Sequence, residues 1–123
     1  MKLSDHQWEF LKDLALLTIF ANDWGYKLTG GELWRTERTQ KYYLAAGKSK
    51  TLNSQHLKRL AQDYNVFLAG KLLNKSNLED WEKIKFLGDY WESLNPLNRW
   101  GGDFNKNNIK DGFIDTPHFE RYV

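Results

Sequence analysis

Cysteine is missing from this 123-residue chain. Its absence removes disulfides, thiolate zinc sites, iron–sulfur clusters and cysteine nucleophiles from consideration. Long apolar runs are missing too. The longest, Leu14 to Ala21, falls well short of the roughly 20 residues that span a bilayer. It follows Lys12 and Asp13 inside an amphipathic segment and has no cleavage pattern after it, so neither a membrane anchor nor a secretory signal is expected. The chain is expected to accumulate in the cytoplasm in which it is made. Proline occurs only twice, no repeat or low-complexity segment is visible, and no phosphate-cradling glycine loop or nucleophile-elbow serine is present.

Aromatic residues are abundant instead. They make up 15% of the chain, with six Trp, beside 41% hydrophobic and 28% charged residues. Each large ring removes roughly 150–250 Å² from water when buried, so the mean hydropathy of −0.72 is no obstacle to a core. Length and composition fit one soluble domain over residues 1–123 and exclude disorder over most of it. The net charge of +2 says little, but its distribution is uneven. Arg35, Arg38, Lys41, Lys48, Lys50, Lys58 and Arg59 face a single acid, Glu37, whereas the second half is acidic. A solvated face is the plain reading of that basic stretch; an anionic substrate or nucleic acid is the functional one.

Hydrophobic periodicity predicts three helices. Ser4 to Gln7 is a capping-box pattern, and Trp8, Leu11, Leu14, Ala15, Leu17 and Thr18 recur at helical spacing over Asp5–Asn22. A second helix is expected over Glu37–Ala46, stopped by Gly47, and a third over Leu78–Leu94, capped by Asn77. Strands are expected over Tyr26–Arg35 (bent at Gly30-Gly31), Ala61–Leu68, Trp100–Phe104 and Phe113–Tyr122 (interrupted by Pro117). This order points to an α+β fold. Trp8, Trp81 and Trp91 are expected in the core and Trp100 near a cleft.

Three histidines are available: His6, His56 and His118. His6, in the first helical turn, is expected at the surface. His56 and His118 with a carboxylate such as Asp63 would supply the N/O donors of a catalytic zinc site, which keeps one position open for water. Residues seven apart share a helix face but oppose each other on a straight strand, so His56 and Asp63 need a bend between them. Asp115 could manage protons if the turn at Pro117 folds it over the metal, or it could simply cap a turn. Asp103, after Gly101-Gly102, is open to the same two readings.

Five fragments in order carry a resemblance. They are Arg35-Thr36-Glu37-Arg38-Thr39-Gln40, Gly47-Lys48-Ser49-Lys50, Ser54-Gln55-His56 with Ala61 and Asp63, Trp100-Gly101-Gly102-Asp103, and Asp115-Thr116-Pro117-His118-Phe119-Glu120. Together the chain from Leu28 to Glu120 resembles the D-alanyl-D-alanine carboxypeptidase and L-alanyl-D-glutamate endopeptidase family of zinc peptidases, which includes small phage endolysins. The resemblance implies a hedgehog-type, D,D-peptidase-like α+β fold in which helices pack on a small antiparallel sheet carrying one Zn²⁺. It implies His56, Asp63 and His118 as ligands, Asp115 as the acid that activates water, and Arg35 as the residue that holds substrate or steadies the oxyanion. Gln40, Ser54 and Asp103 match substrate-side positions, and Glu120 a group that orients an imidazole. The family pattern has Gly three residues after the first ligand, where this chain has Arg59. That departure implies a different backbone path or a longer helical turn between His56 and Asp63, with Arg59 as an added substrate contact the alternative.

The implied activity is cleavage of peptidoglycan stem peptides between L-alanine and D-glutamate, by a monomer without stable membrane association. The implied setting is a phage endolysin that waits in the host cytoplasm until lysis and then acts on the periplasmic wall. Stem peptides carry free carboxylates, which gives the basic stretch a purpose. A D-alanyl-D-alanine carboxypeptidase is the rival within the enzyme class. A basic, aromatic nucleic-acid-binding module is the rival outside it, although the resemblance implies no nucleic-acid partner.

Overall fold

Buried apolar positions on two helices and a sheet determine the architecture. The computed structural model describes all of residues 1–123. In chain order, α1 (Leu3–Asp23) leads to β1 (Tyr26–Gly30) and α2 (Glu37–Ala45). A 3-10 turn (Gln55–Lys58) then enters β2 (Ala61–Leu68), and β3 (Lys71–Leu72), α3 (Leu78–Leu94), β4 (Asn98–Trp100) and β5 (His118–Arg121) follow. The strands pair antiparallel in the order β1-β2-β5-β4, with β3 added to β2. The fold is therefore α+β, as expected.

Phe10, Leu14, Leu17 and Ala21 alternate by four and three along α1 and face Trp81, Ile84, Leu87 and Trp91 of α3 and Phe119 of β5 in one cluster of 14 buried residues. Trp8 and Leu11 lie off that stripe. Trp8 is 64% exposed, contrary to its expected place in the core. The capping box expected at Ser4–Gln7 is also absent, because the helix begins earlier. The backbone N–H of Lys2 donates to Asp5 Oδ2, and Gln7 reaches instead to the Lys58 carbonyl.

The buried tryptophans do more than fill volume. Trp81 donates its indole N–H to the Gly102 carbonyl at 2.8 Å, Trp91 to Glu120 at 3.0 Å and Trp100 to Thr116 at 2.9 Å. Each bond satisfies a buried donor and pins a segment next to the candidate site. Trp100 itself is buried and packs beside Trp81 rather than facing a cleft. At Gly88 of α3, an added Cβ would lie 2.5 Å from the Trp100 ring. Helix propensity alone favours Ala over Gly by about 1 kcal/mol. Overpacking against a buried indole outweighs it, so Gly88→Ala is expected to lower stability by about 1–3 kcal/mol. Urea unfolding checks this; a raised midpoint would contradict it.

β2 and α3 occupy their expected ranges. β1 stops at Gly30 instead of Arg35, and α2 ends at Ala45. Two later strands are shorter than expected. β4 ends at Trp100, since Gly101 to Phe104 turn away, and β5 starts at His118, after Pro117. Proline lacks the N–H that a ladder needs.

Candidate metal centre

Two strands and one turn deliver the site. Asp63 of β2 and His118 of β5 are direct cross-strand partners. The Tyr64 N–H donates to the Pro117 carbonyl, so the Asp63–His118 pair is of the kind that exchanges no backbone bonds and whose side chains approach most closely. His56 arrives from the 3-10 turn just before β2. Ser54 caps that turn by accepting from the His56 N–H at 3.2 Å. The bend that His56 and Asp63 require is thus built into the element boundary.

The turn closes at Arg59, whose φ of 57° is left-handed. The backbone at Arg59 therefore adopts the left-handed conformation that glycine takes most readily, with Arg in its place. The Arg59 guanidinium lies over Trp34, 4.9 Å from the ring centre, an attraction that offsets part of the strain.

Hydrogen bonds orient both imidazoles. His56 Nδ1 is 2.8 Å from the Leu33 carbonyl, an arrangement in which Nδ1–H donates and Nε2 keeps its lone pair. Leu33 is positioned because the chain beyond β1 continues alongside Asp63: Gly31 N–H donates to Asp63, and Asp63 N–H to Glu32. His118 Nε2 lies 2.6 Å from Glu120 Oε1, two residues on along the same face of β5, which leaves Nδ1 toward Asp63. Glu120 is itself held by Arg99, at 3.1 Å from Nε and 2.9 Å from Nη2. His56 Nε2 and His118 Nδ1 then sit 3.3 Å and 3.4 Å from Asp63 Oδ1.

These three donors lie within 4.8 Å of one another and could hold a metal ion. His56 Nε2 and Asp63 Oδ1 are buried without a hydrogen-bond partner. Buried polar atoms are seldom left unpaired, and two nitrogens with one carboxylate oxygen suit zinc, so the residues present fit such an ion. Burial by itself pushes the Asp63 carboxyl up, but His118 and then His56 outweigh it and hold it well below the usual range. Burial likewise pulls His118 down, whereas the neighbouring carboxylates of Asp63 and Glu120 raise it to about 9.

His56 and His118 open on a cleft of about 410 Å³ that Arg35, Ser54, Asp115 and Glu120 also line. Asp115 is fixed by its backbone: its N–H donates to the Gly101 carbonyl at 2.8 Å and its carbonyl accepts from His118 N–H at 3.0 Å. A Cβ at position 101 would lie 2.3 Å from the Asp115 carbonyl oxygen, so Gly101 permits this approach. Burial pushes the Asp115 carboxyl up; the His118 charge opposes this and the like charge of Asp63 adds to it. Arg35 is clamped by Glu32, by the Gln40 side-chain carbonyl at 2.6 Å and by the face of Tyr43 at 4.5 Å.

The other expected residues stand apart from the donors. Gln40 is fully buried, bonded to Arg35, Ser49 and the Thr51 carbonyl, and supports the cleft without lining it. Asp103 does not line the cleft; its carboxylate accepts the backbone N–H groups of Asn107 and Asn108 and caps that loop, the turn-capping alternative of the two. Sequence reading overlooked Glu32, Arg99 and the Leu33 carbonyl. The Glu32–Arg35 spacing is a signal for the first; a backbone carbonyl leaves none.

A search of curated proteins finds no match. Among solved structures, the fold is similar to the Serratia marcescens L-Ala D-Glu endopeptidase ChiX, with a TM-score of 0.59, 24% identity and coverage of 89% of this chain and 78% of that one. The family model described as D-alanyl-D-alanine carboxypeptidase matches residues 47–121, which include His56, Asp63, Asp115 and His118. That match spans more than half of the chain, which therefore belongs to the D-alanyl-D-alanine carboxypeptidase family and is a peptidase, a hydrolase.

Proposed function

We propose that the chain is a zinc-dependent endopeptidase that hydrolyses the L-alanyl-D-glutamate bond of peptidoglycan stem peptides. The observation that carries this reading is the convergence of His56 Nε2, Asp63 Oδ1 and His118 Nδ1, two of them buried and unpartnered, beside a cleft that both imidazoles share with Asp115. Zinc held by these three residues would supply Lewis acidity toward the scissile carbonyl and toward water. Asp115, raised by burial, is suited to take a proton from the attacking water and return it to the leaving amine. Arg35, immobilised by Glu32 and Gln40, presents positive charge to the cleft where negative charge develops on the carbonyl oxygen. One good donor of this kind is typically worth ~3–4 kcal/mol.

Similarity to an L-Ala D-Glu endopeptidase favours the endopeptidase over the carboxypeptidase reading. Residues 1–123 act in this reading as one catalytic domain and as a monomer. No helix is long and apolar enough to cross a membrane. The biological setting that fits is phage-encoded host lysis, with the enzyme held in the host cytoplasm until the wall becomes accessible. Mass spectrometry of digested muropeptides, with and without chelator, tests the activity. New N-terminal glutamate that disappears with chelator is the expected product; loss of a single alanine would instead identify a carboxypeptidase.

A further inference from the structure

Four cationic side chains line the cleft, and two of them are held in ion pairs: Arg35 with Glu32 and Arg99 with Glu120. Lys48 and Lys50 take part in no ion pair. Their ammonium groups rest near the rings of Tyr43 and Phe113, each 5.8 Å from the ring centre. The loop that carries them is anchored to the site. Lys48 and Ser49 donate their N–H groups to the Tyr43 carbonyl at 2.8 Å and 3.2 Å, and Gln40, which holds Arg35, donates to Ser49 Oγ at 2.8 Å. Phe113, two residues before Asp115, lines the same cleft, so the Lys50 ammonium rests beside the segment that carries Asp115. The arrangement leaves uncompensated positive charge at the rim, on a backbone tied to the machinery below.

We infer that Lys48 and Lys50 select stem peptides carrying a free carboxylate beside the scissile amide, against peptides in which that carboxylate is amidated. This rests on the endopeptidase reading. An ammonium attracts a carboxylate as a point charge and gains nothing comparable from a neutral carboxamide. Both lysines are exposed, so the attraction is screened by salt.

The experiment uses two synthetic stem peptides, one with D-glutamate bearing its free α-carboxylate and one with the corresponding α-carboxamide, and compares kcat/KM for the zinc-loaded wild type and Lys48→Gln/Lys50→Gln. The wild type is expected to prefer the acid by about tenfold or more at low salt, as two partly screened charge contacts would give. That preference falls toward unity in the double variant and, for the wild type, as salt is raised. Lys48→Glu/Lys50→Glu should reverse it. Cleavage with an acid-to-amide ratio that the lysines do not alter would overturn this inference alone. Failure of the wild type to cleave either peptide would overturn the endopeptidase reading as well.

Discussion

The His118→Ala protein is expected to retain no stoichiometric zinc and to show no hydrolysis above background. His118 Nδ1 is one of three donors, and the cross-strand Asp63 cannot replace it. Loss of an outer hydrogen-bond partner of a metal ligand typically costs roughly 10–100-fold in metal affinity; loss of a ligand should exceed that. Arg99→Met supplies the internal comparison, because it leaves all three donors in place and removes the group that holds Glu120 against the imidazole. Competition against a chromophoric chelator measures affinity in both, and circular dichroism confirms that the sheet still forms. Wild-type turnover by a metal-free His118→Ala chain would end the metallopeptidase reading.

Asp115→Asn should separate proton transfer from metal binding. The carboxyl lies in the same cleft but is not among the three converging donors. Its amide replacement keeps the backbone bonds to Gly101 and His118, which do not involve the side chain. Zinc content is therefore expected to stay at the wild-type level while kcat falls by about 10²–10⁴, the usual contribution of a positioned acid–base group. KM should change much less, since the loss is confined to the transition state. Undiminished kcat would move the proton-transfer role to another group.

Much of this was legible before any coordinates. α3 was readable because Asn77, the apolar period from Trp81 to Trp91 and Pro96 all agree on its limits. β2 was readable because β-formers cluster in it. The short strands were not: three residues at Asn98–Trp100 and four at His118–Arg121 owe their conformation to pairing across the sheet, which local composition does not encode. Trp8 misled for a related reason, since α1 offers two overlapping apolar stripes and only packing against α3 decides which is buried. At the site, side-chain donors could be picked from ordered motifs. The tautomer of His56 could not, because it depends on a main-chain carbonyl 23 residues away. Arg59 shows another limit, for nothing in its side chain announces the left-handed backbone it adopts.

The pairing of Asp63 with His118 has one more consequence. Strand register has a period of two, so a slip by one residue would face His118 with Gln62 or Tyr64 and turn Asp63 to the other side of the sheet. A chain so misaligned could not assemble the three donors. A divalent ion bound there would stabilise the correct alignment alone, and so would disfavour misaligned pairing of the two central strands.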